Sequence, residues 1–377
     1  MKKTILLFDM DGVLLDPRGY HRALQETVRL TGLALGYQEP HLPRETIRAF
    51  EAAGITSEWD SGAVCLALML TMGWKAGLPL EVPCRLNPQH AISHDLPVPD
   101  WAEFLTRLNT HDRPASPLEK ALALLFQDLS PPQQETIAGL IENAHTPAES
   151  PTHRTFQELV LGSSVYQATY SHQPALSTPG FLTKYDQPSL QPAQTQALKE
   201  WLTVEGNRAA IITNRPSQPP PPLWGTPEAE LGASLVGLDR LPLIGYGQMR
   251  WTANRLELSR KDCYKPSPVH ALSALLAAEG IDPQTALLAA GRLTHRGQSG
   301  SIWKTLDQTQ VFVFEDTPPG LKSVQKAKSL LKSQNVNLNV SLIGISAGGK
   351  KRLALEKTGA VVYPHLARAL QEEVGIC

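Results

Sequence analysis

Seven polar side chains, placed where apolar runs end, carry the chemistry this chain can do: Asp9, Asp11, Thr213, Asn214, Lys265, Glu315 and Asp316. The run Thr4–Phe8 leads straight into Asp9-Met10-Asp11-Gly12. An apolar run of this length reads as a buried strand, and Gly12 allows an immediate turn after it. Carboxylates at i and i+2 share one face of a regular strand, so both address one small volume. Like charges there repel unless a cation lies between them. An all-oxygen donor set suits a hard divalent ion, Mg2+ first. Far along the chain Val311–Phe314 runs into Glu315-Asp316-Thr317-Pro318, a second apolar strand that ends in acids and gives oxygen ligands opposite Asp9. Asp316 reads as a metal ligand, and Glu315 as a second ligand or a group just outside it. Between them, Ala210-Ile211-Ile212 ends in Thr213-Asn214, a hydroxyl and an amide that can bond an anionic oxygen without adding charge. In Tyr264-Lys265-Pro266 an ammonium stands just before a helix, because proline suits a first helical turn.

Each group also has an ordinary reading. The first pair is a polar turn after a strand, Asn-Arg-Pro is a common turn, and a lone Lys-Pro is usually solvated surface. Asp316 or Thr317 is a helix cap. Two apolar strands that both end in acid pairs are hard to explain by caps alone.

These groups need a frame that brings distant strand ends together. Strand candidates follow at Ala209–Thr213, Leu241–Ile244, Val311–Phe314, Val340–Ile345 and Ala360–Tyr363, with helices expected at Gln194–Val204, Pro266–Glu279 and Pro319–Leu331. Alternating strands and helices imply an α/β fold with a doubly wound, Rossmann-type parallel sheet. Such sheets bind ligands outside the carboxyl ends of their strands. The strand near residue 5 belongs with a sheet that otherwise begins near residue 209. The reading is a core domain of residues 1–16 and 196–377, interrupted by a mostly α-helical domain at 17–195. Apolar spacing in Ala63–Leu70, Leu118–Leu125 and Thr155–Tyr170 supports helices in that insertion. Pro219–Pro222 is expected to be extended polyproline, and Gly291–Leu306 a polar insertion at the sheet edge away from the chemistry.

Composition limits the partners. The 377 residues suggest two domains, and 42% hydrophobic residues suffice for ordinary cores. A net charge near −1 gives no general attraction to nucleic acid or to an anionic membrane. Cys65, Cys84, Cys263 and Cys377 lack zinc or redox spacing, so reduced thiols in a cytoplasmic setting are the simplest reading. Lys2 and Lys3 precede a short apolar run, but Asp9 and Asp11 interrupt it too early for a secretory leader. No stretch reaches transmembrane length. Oligomeric state is not readable.

The four motifs, in this order, resemble those of the haloacid dehalogenase superfamily of phosphotransferases. The resemblance covers residues 1–16 and about 195 to the end, and the inserted helices match members with a cap domain between the first and second motifs. It implies a Mg2+-dependent phosphatase acting on a small phosphorylated metabolite. Asp9 would be the nucleophile that forms an aspartyl phosphate, and Asp11 the general acid and then base. The Asp11 backbone carbonyl would join Asp9 and Asp316 as a metal ligand. Thr213, Asn214 and Lys265 would bind the phosphoryl group, while Arg215 either reaches substrate or lies on the surface. In the cap, His21 stands where many relatives place a histidine near the site, and Trp59 and Asp60 fall in a stretch resembling a substrate-facing loop. His21 as helix surface and Trp59 as cap core are the competing readings. A phosphomutase shares all four motifs and is the alternative function. Phosphonate cleavage finds no matching cap lysine. A non-catalytic binding module is disfavoured by the intact motif set.

Overall fold

A computed structural model of the chain describes residues 3–38, 40–83, 96–111 and 115–377. Cys84 lies outside the described residues, and Cys65, Cys263 and Cys377 are free thiols. The chain forms two compact units, Met1–Pro17 with Asp186–Cys377, and Arg18–Tyr185.

The strands of the first unit are β1 (Thr4–Asp9), β2 (Leu15–Asp16), β3 (Gln187–Pro188), β4 (Asn207–Ile212), β5 (Leu243–Ile244), β6 (Gln310–Glu315), β7 (Asn339–Ile345) and β8 (Val361–Tyr363). Six of them form one sheet in the order β5-β4-β1-β6-β7-β8, with β1 in its interior. Every pairing in this sheet is parallel. Strands β2 and β3 make a separate antiparallel ribbon, which returns the chain to the core at residue 186 rather than at the 196 read from sequence.

Alternation along β1 divides the core. Ile5 and Leu7 face one side with Ala210, Ile212, Val311 and Val313, against the helix Pro268–Ala278, whose residues are all buried. Leu6 and Phe8 face the other with Ala209, Ile211 and Phe314, under the helices Pro192–Thr203 and Leu366–Val374. Phe8 and Phe314 stack there with ring centroids 5.0 Å apart. Each fully buried Leu, Ile or Val contributes roughly 1.5–3 kcal/mol. Two such faces support a charged, partly desolvated cluster at the sheet edge.

Five core helices escaped the sequence reading: Glu228–Leu235, Tyr246–Leu256, Gly349–Glu356, Leu366–Val374 and Pro283–Arg296. The last takes in the start of the supposed polar insertion at 291–306. It buries Ala286, Leu287, Ala290 and Leu293, a helical stripe that its polar outer face obscures. At Gly291 any Cβ would overlap Leu256 Cδ1, so the two helices approach closely there. The remainder buries Trp303 and Leu306, and the Thr305 carbonyl accepts from Lys3 Nζ at 2.9 Å, at the amino end of β1. The Pro219–Pro222 run is not a straight polyproline helix; it bends at 220 and turns at 221–222.

The second unit is helical. Helices Pro117–Leu125, Pro131–Glu142 and Pro151–Leu161 each begin with proline after a serine, so these prolines start helices as well as stop them. The helix expected over 155–170 is two, Pro151–Leu161 and Ser163–Tyr170. The break is at Gly162, where φ is +83° and a Cβ would overlap the Gly180 nitrogen. Among the described residues no helix is long and apolar enough to cross a membrane.

Candidate active site

Register alone brings the first and fourth motifs together. Asp9 pairs with Ile212 on one side, and Phe8 pairs with Phe314 on the other, so Asp9 and Glu315 end adjacent strands side by side. Asp9 shares its face with Ile5 and Leu7, and Glu315 with Val311 and Val313, so both carboxylates turn toward the helix Pro268–Ala278. Lys265, three residues before that helix, enters between them. Its Nζ donates to Asp9 Oδ1 at 2.8 Å and to the Ile212 carbonyl at 3.1 Å. It also forms an ion pair with Glu315 Oε1 at 2.6 Å. Burial alone would lower the Lys265 pKa, but Asp9 and Glu315 more than reverse this and raise it. Lys265 is therefore a fixed cation.

Two glycines make room for the acids. Gly12 has φ +76° in the turn after Asp11, and a Cβ there would overlap Asp316 Oδ2 and lie 2.7 Å from its Cγ. Gly320, in the first turn of the helix Pro318–Ser333, faces Glu315 so closely that a Cβ would overlap Cδ and both oxygens. Asp316 also pairs with Lys351, which follows the Gly348-Gly349 turn after β7. Oxygens of Asp9, Glu315 and Asp316, all buried, lie within 4.8 Å of one another. The Glu315 and Asp316 carboxyls are both pushed up, first by burial and then by repulsion from Asp9, with Lys265 and Lys351 offsetting part of it.

Arg215 departs from the surface reading made for it. It is 3% exposed, hence not a surface arginine, and its guanidinium turns inward. Nε donates to Asp11 Oδ1 at 2.8 Å and Oδ2 at 2.9 Å, and Nη2 donates to Asp186 Oδ2 at 2.8 Å. The Asp11 side chain is thus directed to Arg215 rather than to the carboxylate cluster. Thr213 is buried, one residue past Ile212, the β4 partner of Asp9, and its Oγ1 accepts from the Arg215 backbone nitrogen at 3.1 Å. Asn214 beside it is exposed. Counted over Asp9, Asp11, Asp186, Glu315 and Asp316 against Lys265, Arg215 and Lys351, the site carries two more negative than positive formal charges. An oxygen-only cluster with that excess fits one hard divalent cation such as Mg2+. A cavity of about 710 Å³ at the amino ends of β4 and β5, lined in part by Arg208 and Leu241, lies at the opposite edge of the sheet from these groups.

The remaining sequence candidates lie in the helical unit. His21 Nε2 is 3.2 Å from Glu51 Oε1. Trp59 and Asp60 are not in a loop but in the first turn of the helix Glu58–Lys75. Trp59 stacks on His153 with centroids 4.7 Å apart and meets His145 edge-on, while Asp60 Oδ1 lies 2.8 Å from His145 Nε2.

Sequence reasoning missed Asp186, Lys351 and Gly320. Lys351 had a signal, a Gly-Gly turn and a lysine just past a strand end. Gly320 had a weaker one, a glycine inside the first turn of a helix. Asp186 had none beyond its place at the seam of the insertion.

No protein-family model matches this sequence, and no curated protein matches it. Among solved structures, a structural-genomics consortium target matches over 99% of each chain at 17% identity with a TM-score of 0.58. The phosphatase Tt82 from Thermococcus thioreducens (14% identity, 94% of this chain, 99% of that one) has a TM-score of 0.43. A hydrolase from Pseudomonas syringae (13%, 98% and 96%) has one of 0.33. The first likeness bears on fold, and the two lower scores carry no weight here. In its parallel α/β core, and in the order and placement of its four motifs, the chain is similar to the haloacid dehalogenase superfamily.

Proposed function

We propose that this chain is a Mg2+-dependent phosphatase that hydrolyses a small phosphorylated metabolite through an aspartyl phosphate on Asp9. The observation that carries the reading is the convergence of Asp9, Glu315 and Asp316 on one another, with Lys265 paired to the first two, at the carboxyl edge of the sheet. Lys265 holds Asp9 by Oδ1, which leaves Oδ2 to attack phosphorus in line. As the phosphorus–oxygen bond of the ester breaks, Asp11 gives a proton to the departing oxygen. Asp11 then takes a proton from a water whose oxygen attacks phosphorus, and the bond to Asp9 breaks, releasing inorganic phosphate. Thr213, Asn214 and Lys265 supply a hydroxyl, an amide and a cation to the phosphoryl oxygens. Mg2+, held by Asp9, Glu315 and Asp316, would neutralise charge on the phosphoryl group. The test is hydrolysis of an aryl phosphate with and without Mg2+. Wild type is expected to turn over only with the metal, and Asp9→Asn to lose at least about 10³-fold in kcat. Turnover that survives Asp9→Asn, or that is indifferent to Mg2+, contradicts the reading. Transfer of phosphate to another hydroxyl of the substrate would instead identify a phosphomutase.

A further inference from the structure

Asp11 is held from behind by a buried ion network that the four motifs do not contain. The Arg215 side chain is 1% exposed and the Asp186 side chain 0%, whereas that of Asp11 is 36% exposed. Arg215 grips Asp11 through a fork, Nε to both oxygens and Nη2 to Oδ1 at 2.5 Å, which fixes the plane of the carboxylate as well as its position. A buried guanidinium facing one half-exposed carboxylate is incompletely compensated, and Asp186 supplies the second, fully desolvated partner. The backbone of Arg215 is fixed as well: its nitrogen donates to Thr213 Oγ1 at 3.1 Å, and its carbonyl accepts from the Tyr246 nitrogen at 3.0 Å.

The covalent frame closes around the same atoms. Gly12 N donates to the Leu15 carbonyl at 2.7 Å, Leu15 and Asp16 pair with Pro188 and Gln187, and Asp186 is the residue before that ribbon. Asp11, the turn, the ribbon, Asp186 and Arg215 thus form a ring with the Asp11 carboxylate at its solvent side. A salt bridge made only for stability gains nothing from this orientation, because a buried pair is commonly no more stabilising than well-packed apolar residues.

We propose that Arg215 and Asp186 are positioning residues that hold the Asp11 carboxylate in place for its two proton transfers. The proposal rests on the phosphatase reading given above. Positioned acid–base groups contribute about 10²–10⁴-fold to rate. Loosening one from its orienting partner removes part of that factor and leaves steps without proton transfer unaffected.

The test compares two esters of different leaving-group basicity. An aryl phosphate with an activated leaving group needs no proton to form the phosphoenzyme, whereas an alkyl phosphate does. Since kcat/KM reports through the first irreversible step, Asp186→Asn and Arg215→Lys should lose at least about tenfold less on the aryl ester than on the alkyl ester. Both should lose roughly 10- to 100-fold on the alkyl ester. Arg215→Ala should regain alkyl turnover when guanidinium ion is added at low millimolar concentration, which no global unfolding would permit. Circular dichroism of each variant verifies folding. Equal losses on both esters, with no guanidinium rescue, overturn the positioning role while leaving the phosphatase reading intact. A wild type without Asp9-dependent hydrolysis overturns both.

Discussion

Gly320→Ala separates what a helix wants from what the site wants. Gly320 lies in the first turn of the helix Pro318–Ser333, where alanine is intrinsically better than glycine by up to about 1 kcal/mol. The added Cβ would overlap Glu315 Cδ and both of its oxygens. A carboxylate at the end of a flexible side chain can usually move aside. This one is fully buried, with Lys265 Nζ 2.6 Å away and Asp9 beyond it, so movement presses it onto a like charge or off its cation. Overpacking of this kind costs about 1–3 kcal/mol, and breaking a buried pair outright about 3–5 kcal/mol. Even after the helix gain is credited, a net loss of about 1–3 kcal/mol is expected. Urea unfolding in the absence of divalent metal reads this directly, and a calorimetric Mg2+ titration should show weaker binding. Gly139→Ala is the control. It lies in the helix Pro131–Glu142 with nothing within 4 Å of the new methyl, so propensity acts alone and the variant should be as stable as wild type or more so. If Gly320→Ala matches Gly139→Ala in sign and binds Mg2+ as wild type does, the packing argument is wrong.

His270 gives a pH dependence. Its Nε2 lies 2.7 Å from the Ile244 carbonyl, and burial, then Lys265, holds its pKa at about 3 against 6.5 in an unfolded chain. The fold disfavours the protonated form, so this contribution is complete above pH 6.5 and is lost as pH falls from there toward 3. Core stability should drop by about 1.4 kcal/mol per pH unit in that window, and His270→Gln should flatten the slope, as urea midpoints measured at several pH values will show. Lys265→Met removes the cation between Asp9 and Glu315. It should cost about 3–5 kcal/mol without metal, part of it recovered when saturating Mg2+ is added in a thermal melt. Gly162→Ala meets both a φ of +83° and the Gly180 backbone, so limited proteolysis should cut the helical unit faster than in wild type while the core unit stays protected.

The legible part of this protein was the part governed by local rules. Apolar runs that end in acids marked β1 and β6, and parallel register then placed Asp9 beside Glu315 with no further information. Lys265 was legible because proline and a helix start confine where it lies. Arg215 was named from sequence but its ion pairing was not, since its partners Asp11 and Asp186 are distant along the chain and no local spacing encodes a buried ion network. The helix Pro283–Arg296 was missed because polar residues along its exposed side dilute the apolar stripe. Trp59 was read as loop although Glu58 and Asp60, acids suited to a first helical turn, flank it. Gly320 shows the opposite limit: a glycine in a first helical turn is a weak signal, and only the carboxylate packed against it reveals why it is there.

The most direct measurement is peptide mass spectrometry after rapid acid quench of the protein turning over an aryl phosphate with Mg2+. The account predicts a phosphoryl group on the peptide that contains Asp9, present in wild type and gone in Asp9→Asn. Steady turnover with that peptide unmodified, or with the phosphoryl group on another residue, would contradict it.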